Sequence, residues 1–187
     1  MAETDTHLVY EHLGAELRLI ENPHVRAVVL EILSRAPEHF YTQPSSSTGK
    51  YHPADEFSEG GNILHTRRVV KLADELCHAY GRSGIERDKI LGAAMIHDSA
   101  QYGWGAEAER YSQMGHEGAV RVHTYEDLHH WDFYDDVSLL ARAHAGRWGP
   151  SVVWDSVTQL GLPELAALLH IADYIASRRY VTIDVNE

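Results

Sequence analysis

Three features of this 187-residue sequence predict an all-α fold. Apolar residues recur at three- and four-residue spacing through most of the chain. Helix-starting and helix-stopping residues, such as Asn22-Pro23, Gly81, Gly146 and Leu162-Pro163, punctuate those segments at helical lengths. Strand-like alternation never persists, a short extended tail at Tyr180-Val181-Thr182-Ile183 excepted.

Taken in order, residues 1–12 read as frayed or loosely helical, and Leu8, Leu13, Leu17 and Ile20 trace a first apolar stripe among acidic residues. Asn22 supplies an N-cap and Pro23 a first helical residue for a helix through Val25, Val28, Val29, Ile32 and Leu33, ending near Ala36-Pro37. Residues 41–60 form one long irregular segment. Such a segment inside a compact domain is usually functional or disordered. Its Gly49-Lys50 step is not a phosphate loop, because Pro44 stands where the motif needs glycine. Asn62 caps a helix to about Tyr80 that carries His65 on the stripe of Val69, Leu72 and Leu76. Gly81-Arg82-Ser83-Gly84 breaks it, and a helix from about Glu86 to Ser99 places His97 in line with Ile90, Ala93 and Ala94. Residues 101–115 read as loop. His116 opens a helix with Ala119 and Val120, and a helix from about Tyr134 to Ala145 carries His144 behind Val137 and Leu140. Leu162-Pro163 then starts a helix bearing Leu165, Leu169, Asp173 and Ala176 on one face.

Composition is that of an ordinary globular chain, 44% apolar and 24% charged, and its length fits one domain with a core that needs no staples. The single cysteine, Cys77, excludes an internal disulfide framework. With no signal peptide or membrane-length apolar run visible, a cytoplasmic protein without membrane partners is expected. A net charge of −12 argues against binding long nucleic acids through a basic surface. Fourteen histidines are the unusual feature, since imidazole is the commonest metal ligand.

The sequence centres on Met95-Ile96-His97-Asp98, where an adjacent His-Asp pair ends a buried apolar run. Alone, such a pair is commonly a core histidine beside a helix-ending aspartate. Here His65, His116, His144 and Asp173 also lie on apolar stripes. Buried carboxylates require cations or donors, and those stripes carry no Lys or Arg. Metal ions are the remaining partners. His65, His97, Asp98 and Asp173 suffice for one ion, and Asp98, His116 and His144 for a second, with Asp98 bridging. Mixed imidazole and carboxylate ligation suits Mn, Fe, Co, Ni or Zn better than Mg. Water held by such ions loses its proton near neutral pH.

This ordered set resembles the HD-domain metal-dependent phosphohydrolase superfamily. It is carried by Gly60-Gly61-Asn62-Ile63-Leu64-His65-Thr66, Met95-Ile96-His97-Asp98-Ser99-Ala100-Gln101-Tyr102-Gly103 and Leu169-His170-Ile171-Ala172-Asp173-Tyr174. The resemblance implies an all-α HD-domain helical bundle, a single HD-type domain over residues 1–187 with its core at 60–179, and hydrolysis of phosphoesters in nucleotides or related compounds. It also implies that His65, His97, Asp98 and Asp173 are the minimal ligand set, expanded by His116 and His144 to two metals. Many relatives carry Ile-Gly-Lys after the His-Asp pair, where Ser99-Ala100-Gln101 stands here. Another cation must then meet the phosphate. Arg68 and Arg147, each three residues after a ligand, and Lys50 are the candidates, with Asp98 and the metals activating water.

Residues 42–59 are expected to fold over the site, with Lys50 contacting phosphate and His52 a supporting group or an extra ligand. Arg178-Arg179 reads as charge at a helix C-terminus in preference to a phosphate clamp. The expected substrate is a small phosphoester. Two alternatives use the same ligands: an HD-fold di-iron oxygenase cleaving a C–C or C–P bond, and a non-catalytic ligand-binding module that keeps its metal.

Overall fold

The computed structural model describes residues 6–45, 51–101 and 127–185. Among these the fold is helical, with no strands, as the periodicity predicts. The helices are α1 (His7–Leu17), α2 (Pro23–Ser34), α3 (Glu38–Thr42), α4 (Gly61–Ala79), α5 (Ile85–Ile96), α6 (Tyr134–Arg142), α7 (Ser151–Gln159) and α8 (Pro163–Ala176). Short 3₁₀ turns occupy Ala54–Phe57 and Gly146–Trp148. None of the described helices is long and apolar enough to cross a membrane.

The longest of the described helices, α4, lies at the centre. It packs against α8 and α5, while α5 also meets α6 and α2. The core between them is built from stripes such as Val25, Val28, Val29, Ile32 and Leu33 on α2, Val69, Val70 and Ala73 on α4, and Leu165, Leu169 and Ala172 on α8. Each stripe repeats every three or four residues, so one face of each helix is removed from water.

Helix ends follow the sequence signals where the signals are local. Asn22 Oδ1 accepts from the backbone N–H of His24 at 2.9 Å and Val25 at 3.2 Å, with Pro23 at the first helical position. Other ends depart from expectation. Of the stretch read as frayed or loosely helical, the part from His7 onward is helical, in α1. The cap of α4 is Gly60, at φ 77°, and not Asn62, which is buried in the first turn. Helix α5 stops at Ile96, so His97 and Asp98 sit in the turn that follows. Likewise α6 stops at Arg142, three residues earlier than periodicity predicts, and His144 lies just beyond it. Helix α7 is not foreseen at all; only Val153 and Val157 of its nine residues are buried, too short a stripe to register.

The described parts of the 41–60 segment, residues 41–45 and 51–60, are more ordered than a linker. Helix α3 enters them, and the Ala54–Phe57 turn lies against the start of α4. That approach depends on Gly61, where a Cβ would stand 2.0 Å from the Glu56 carbonyl oxygen. Two backbones meet here at a distance only glycine permits. The tail 181–185 forms no ladder. Its carbonyls are held by α4 instead: Arg68 Nε donates to Ile183, Lys71 Nζ to Asp184 and Arg67 Nη2 to Val185, at 3.3, 2.6 and 2.8 Å.

Candidate metal centre

Four elements converge on one buried cluster. His65 comes from the second turn of α4, His97 and Asp98 from the turn after α5, His144 from the turn after α6, and Asp173 from α8. His65 Nε2 lies 3.1 Å from Asp173 Oδ1 and 3.9 Å from Asp98 Oδ2. His97 Nε2 lies 3.5 Å from Asp98 Oδ2 and 3.9 Å from Asp173 Oδ1. His144 Nε2 approaches Asp98 from the other side, 3.8 Å from Oδ1. Donor atoms sharing an ion at bonds of about 2 Å sit roughly 3–3.5 Å apart, so these separations are close to those of a ligand shell.

Backbone geometry turns the rings. The short turns after α5 and α6 let His97 Nδ1 donate to the Ala94 carbonyl at 2.7 Å and His144 Nδ1 to the Ala141 carbonyl at 2.6 Å. Both contacts span three residues, and both leave Nε2 as the lone-pair nitrogen facing Asp98. A ligating histidine is typically fixed this way through its second nitrogen. His97 is fully buried, and its Nε2 has no hydrogen-bond partner among the described residues. A buried lone pair aimed at two carboxylates requires a cation or a proton between them. Burial pushes the His97 imidazole down to about 4, which keeps it a neutral donor at pH 7. His65 behaves oppositely. Burial lowers it, but Asp173 and Glu56 outweigh burial and raise it to about 10. The carboxylates thus draw positive charge onto the cluster, and the donor set fits a divalent transition metal. His65, His97 and Asp98 together can hold one ion.

Behind His65 lies a second layer that sequence reasoning missed. Glu56, wholly buried, places Oε2 3.4 Å from His65 Nδ1 and 2.8 Å from His52 Nδ1. Ser45 Oγ donates to the same oxygen at 3.0 Å. Despite burial, which would raise it, His52, His65 and Arg68 hold this carboxyl well below the usual carboxylate range. His65 therefore has a carboxylate where His97 and His144 have backbone carbonyls. The cluster of His52, Glu56 and His65 has ligand-like spacing too, yet Arg68 Nη1 already donates to Glu56 Oε1 at 2.6 Å. A guanidinium in place disfavours a metal at that point. The only sequence signal for Glu56 was its position four residues after His52.

The expected site residues divide accordingly. His65, His97, Asp98, His144 and Asp173 come together. His52 joins as a supporting group, its ring centroid 4.9 Å from that of His65. Arg68, expected as a free cation at the rim, is corrected: it is 4% exposed and its guanidinium is bound by Asp55 and Glu56. One helical position off the His65 stripe turned it toward the Ala54–Phe57 turn. Arg147 belongs to the Gly146–Trp148 turn, but its side chain is outside the described residues, as are Lys50 and His116. Gln101 does not stand in for a cation; its Nε2 donates to the Ser45 carbonyl at 2.9 Å and ties the His-Asp turn to the Glu56 segment.

The family model described as HD domain matches residues 62–178, more than half of the chain. No curated protein and no solved structure matches it.

Proposed function

The chain belongs to the HD-domain family, and from that premise we propose that it is a phosphohydrolase acting on a small nucleotide-like phosphoester. The family is one of metal-dependent hydrolases, and clusters able to hold a metal are present. The observation that carries the reading is the placement of Asp98. One oxygen faces His65 and His97 and the other faces His144, while the His97 lone pair has no partner among the described residues. Two ions are proposed for this reason, His65, His97, Asp98 and Asp173 holding one and Asp98, His144 and His116 the other. When bound, the metals supply Lewis acidity and lower the pKa of a water.

The protein's own residues provide orientation and charge balance. Asp98 spans both halves of the site, and Glu56 backs His65 from behind. Backbone carbonyls of Ala94 and Ala141 hold the other two imidazoles in one tautomer. The net charge of −12 favours small substrates, since long polymers would be repelled from most of the surface. The test joins elemental analysis with a phosphate-release screen over mononucleotides, cyclic nucleotides and long RNA, repeated without oxygen. Expected are two transition-metal ions per fully loaded chain and oxygen-independent release from the small substrates. Asp98→Ala should lose both ions, and His144→Ala one. A fully loaded, active chain with a single ion would overturn the two-metal proposal. Preferential degradation of long RNA would overturn the substrate class.

A further inference from the structure

His170 stands on α8 one turn before Asp173, off the buried stripe of Leu165 and Leu169, and is itself half-buried. The metal centre as described makes no use of it. Yet its ring is fixed. Nδ1 donates to the main-chain carbonyl of His144 at 2.7 Å, a bond between residues 26 apart in sequence.

The turn that carries His144 is shaped to receive this imidazole. Gly146 has φ 58°, in the left-handed region, so the chain leaves the path of α6 there. A Cβ at Gly146 would lie 2.6 Å from His170 Cε1 and 2.7 Å from both Nδ1 and Nε2. Near-equal distances to three atoms of one ring put that Cβ over the ring face, so the imidazole lies flat against the glycine. Any side chain at this position would displace it. A second side chain holds the same turn: Trp154 of α7 donates from Nε1 to the Gly146 carbonyl at 2.8 Å. Helix α7 buries only Val153 and Val157, and this bond links the short helix to the site.

His144 lies past the end of α6, where the helical ladder no longer sets the backbone. Its Nδ1 donates to the Ala141 carbonyl, which sets the ring relative to its own chain. That contact does not place the chain relative to Asp98, whose Oδ1 lies 3.8 Å from His144 Nε2. The bond from His170 does so, because it comes from α8, the helix that also carries Asp173. One helix thereby reaches both sides of Asp98, directly beside His65 and His97 and through His170 at His144. The His97 turn is held differently, packed in the core with Met95, Ile96, Ser99 and Ala100 all buried.

We propose that His170 is a positioning residue: its bond to the His144 carbonyl, with the ring seated on Gly146, holds the turn so that His144 Nε2 faces Asp98. Trp154 holds the same turn from α7. This rests on the reading that His144 ligates the second of two ions, and it adds what keeps that ligand in register.

The test uses three full-length variants that differ in where a donor stands. The amide nitrogen of His170→Asn falls near the Nδ1 position, that of His170→Gln near the Nε2 position, and His170→Leu has none. The first readout is NMR of the metal-free chain with isotopically labelled histidine. It follows solvent exchange of the His144 Nδ1–H, a signal identified by its loss in His144→Ala. His170→Leu and His170→Gln should speed that exchange roughly 10-fold, and His170→Asn should stay within about 2-fold of the parent. The second readout is calorimetric titration with Zn²⁺. His170→Leu and His170→Gln should weaken the second ion about 10-fold and leave the first unchanged, with His170→Asn restoring parental binding. All three should keep the parental melting temperature within a few degrees, since the residue is half-buried. General loosening would instead weaken both ions and would not separate Asn from Gln. Parental exchange in His170→Leu, equal behaviour of the Asn and Gln variants, or equal weakening of both ions would overturn the proposal. A parent that binds a single ion would overturn the two-ion reading; the exchange measurement, made without metal, then decides the role of His170 by itself.

Discussion

Gly61→Ala tests whether the meeting of two backbones holds the metal centre together. The added Cβ would lie 2.0 Å from the Glu56 carbonyl oxygen and 2.6 Å from its carbonyl carbon. Ordinary contact requires about 3.5 Å, so the Ala54–Phe57 turn must move roughly 1.5 Å from α4. The Glu56 carbonyl also accepts from Ser45 N at 3.0 Å, so the strain spreads into the preceding segment. Overpacking of this kind costs about 3 kcal/mol at the upper end of its range, and alanine's better helix propensity returns about 1 kcal/mol. A net loss of about 2 kcal/mol lowers Tm by about 4–8 °C for a chain this long. Glu56 moves with the turn, so His65 loses its backing carboxylate and metal affinity falls as well. Gly14→Ala on α1 is the control, because its Cβ would meet nothing closer than 3.7 Å. That variant should gain up to about 1 kcal/mol. The assay is thermal unfolding followed by circular dichroism, with a chelator-competition titration of Zn²⁺. A Gly61→Ala chain with parental Tm and parental metal affinity would refute the close approach and the coupling built on it.

Three further outcomes follow from particular contacts. Glu56→Gln keeps the shape but removes the charge at His65 Nδ1, and metal affinity should fall about 10- to 100-fold in the same chelator titration; Arg68 retains Asp55, so the fold should persist. Asp88→Ala should cost about 3 kcal/mol in urea unfolding, because the buried carboxylate accepts from Glu21 N at 3.2 Å and Asn22 N at 2.7 Å, and both would lose their partner; an unchanged midpoint would show that water replaces it. Burial raises the Cys77 thiol to about 11, so iodoacetamide at pH 8 should label it only after denaturation. Since the folded value lies above the ordinary 9.0, its share of stability is full below pH 9 and lost as pH rises toward 11, readable as a falling Tm across that interval.

The sequence by itself determined the helical class and most of the buried cluster of His and Asp side chains. Apolar stripes on α2, α4 and α8 repeat within one helix, and His65 and Asp173 stand on those stripes, so each is recognisable from neighbours three or four residues away. The cap at Asn22-Pro23 is likewise a local hydrogen-bond pattern. His97 and His144 were found for the same reason, although both lie just past their helix ends. There a contact to the carbonyl three residues back, which periodicity does not encode, sets the ring.

Only the tertiary structure decided what lies around those side chains. Arg68 is one residue among many basic ones in the sequence, and its role changed when Asp55 and Glu56 were folded against it. Asp88 gained its function from an N–H 66 residues away, and Arg178 gained its second aromatic ring from Tyr51, remote from it in sequence. The periodic signal reports which face of a helix leaves water, a property of the helix alone. Partner choice for a charge or a ring is settled by which elements meet at that face, and that information resides in distances between segments remote in sequence.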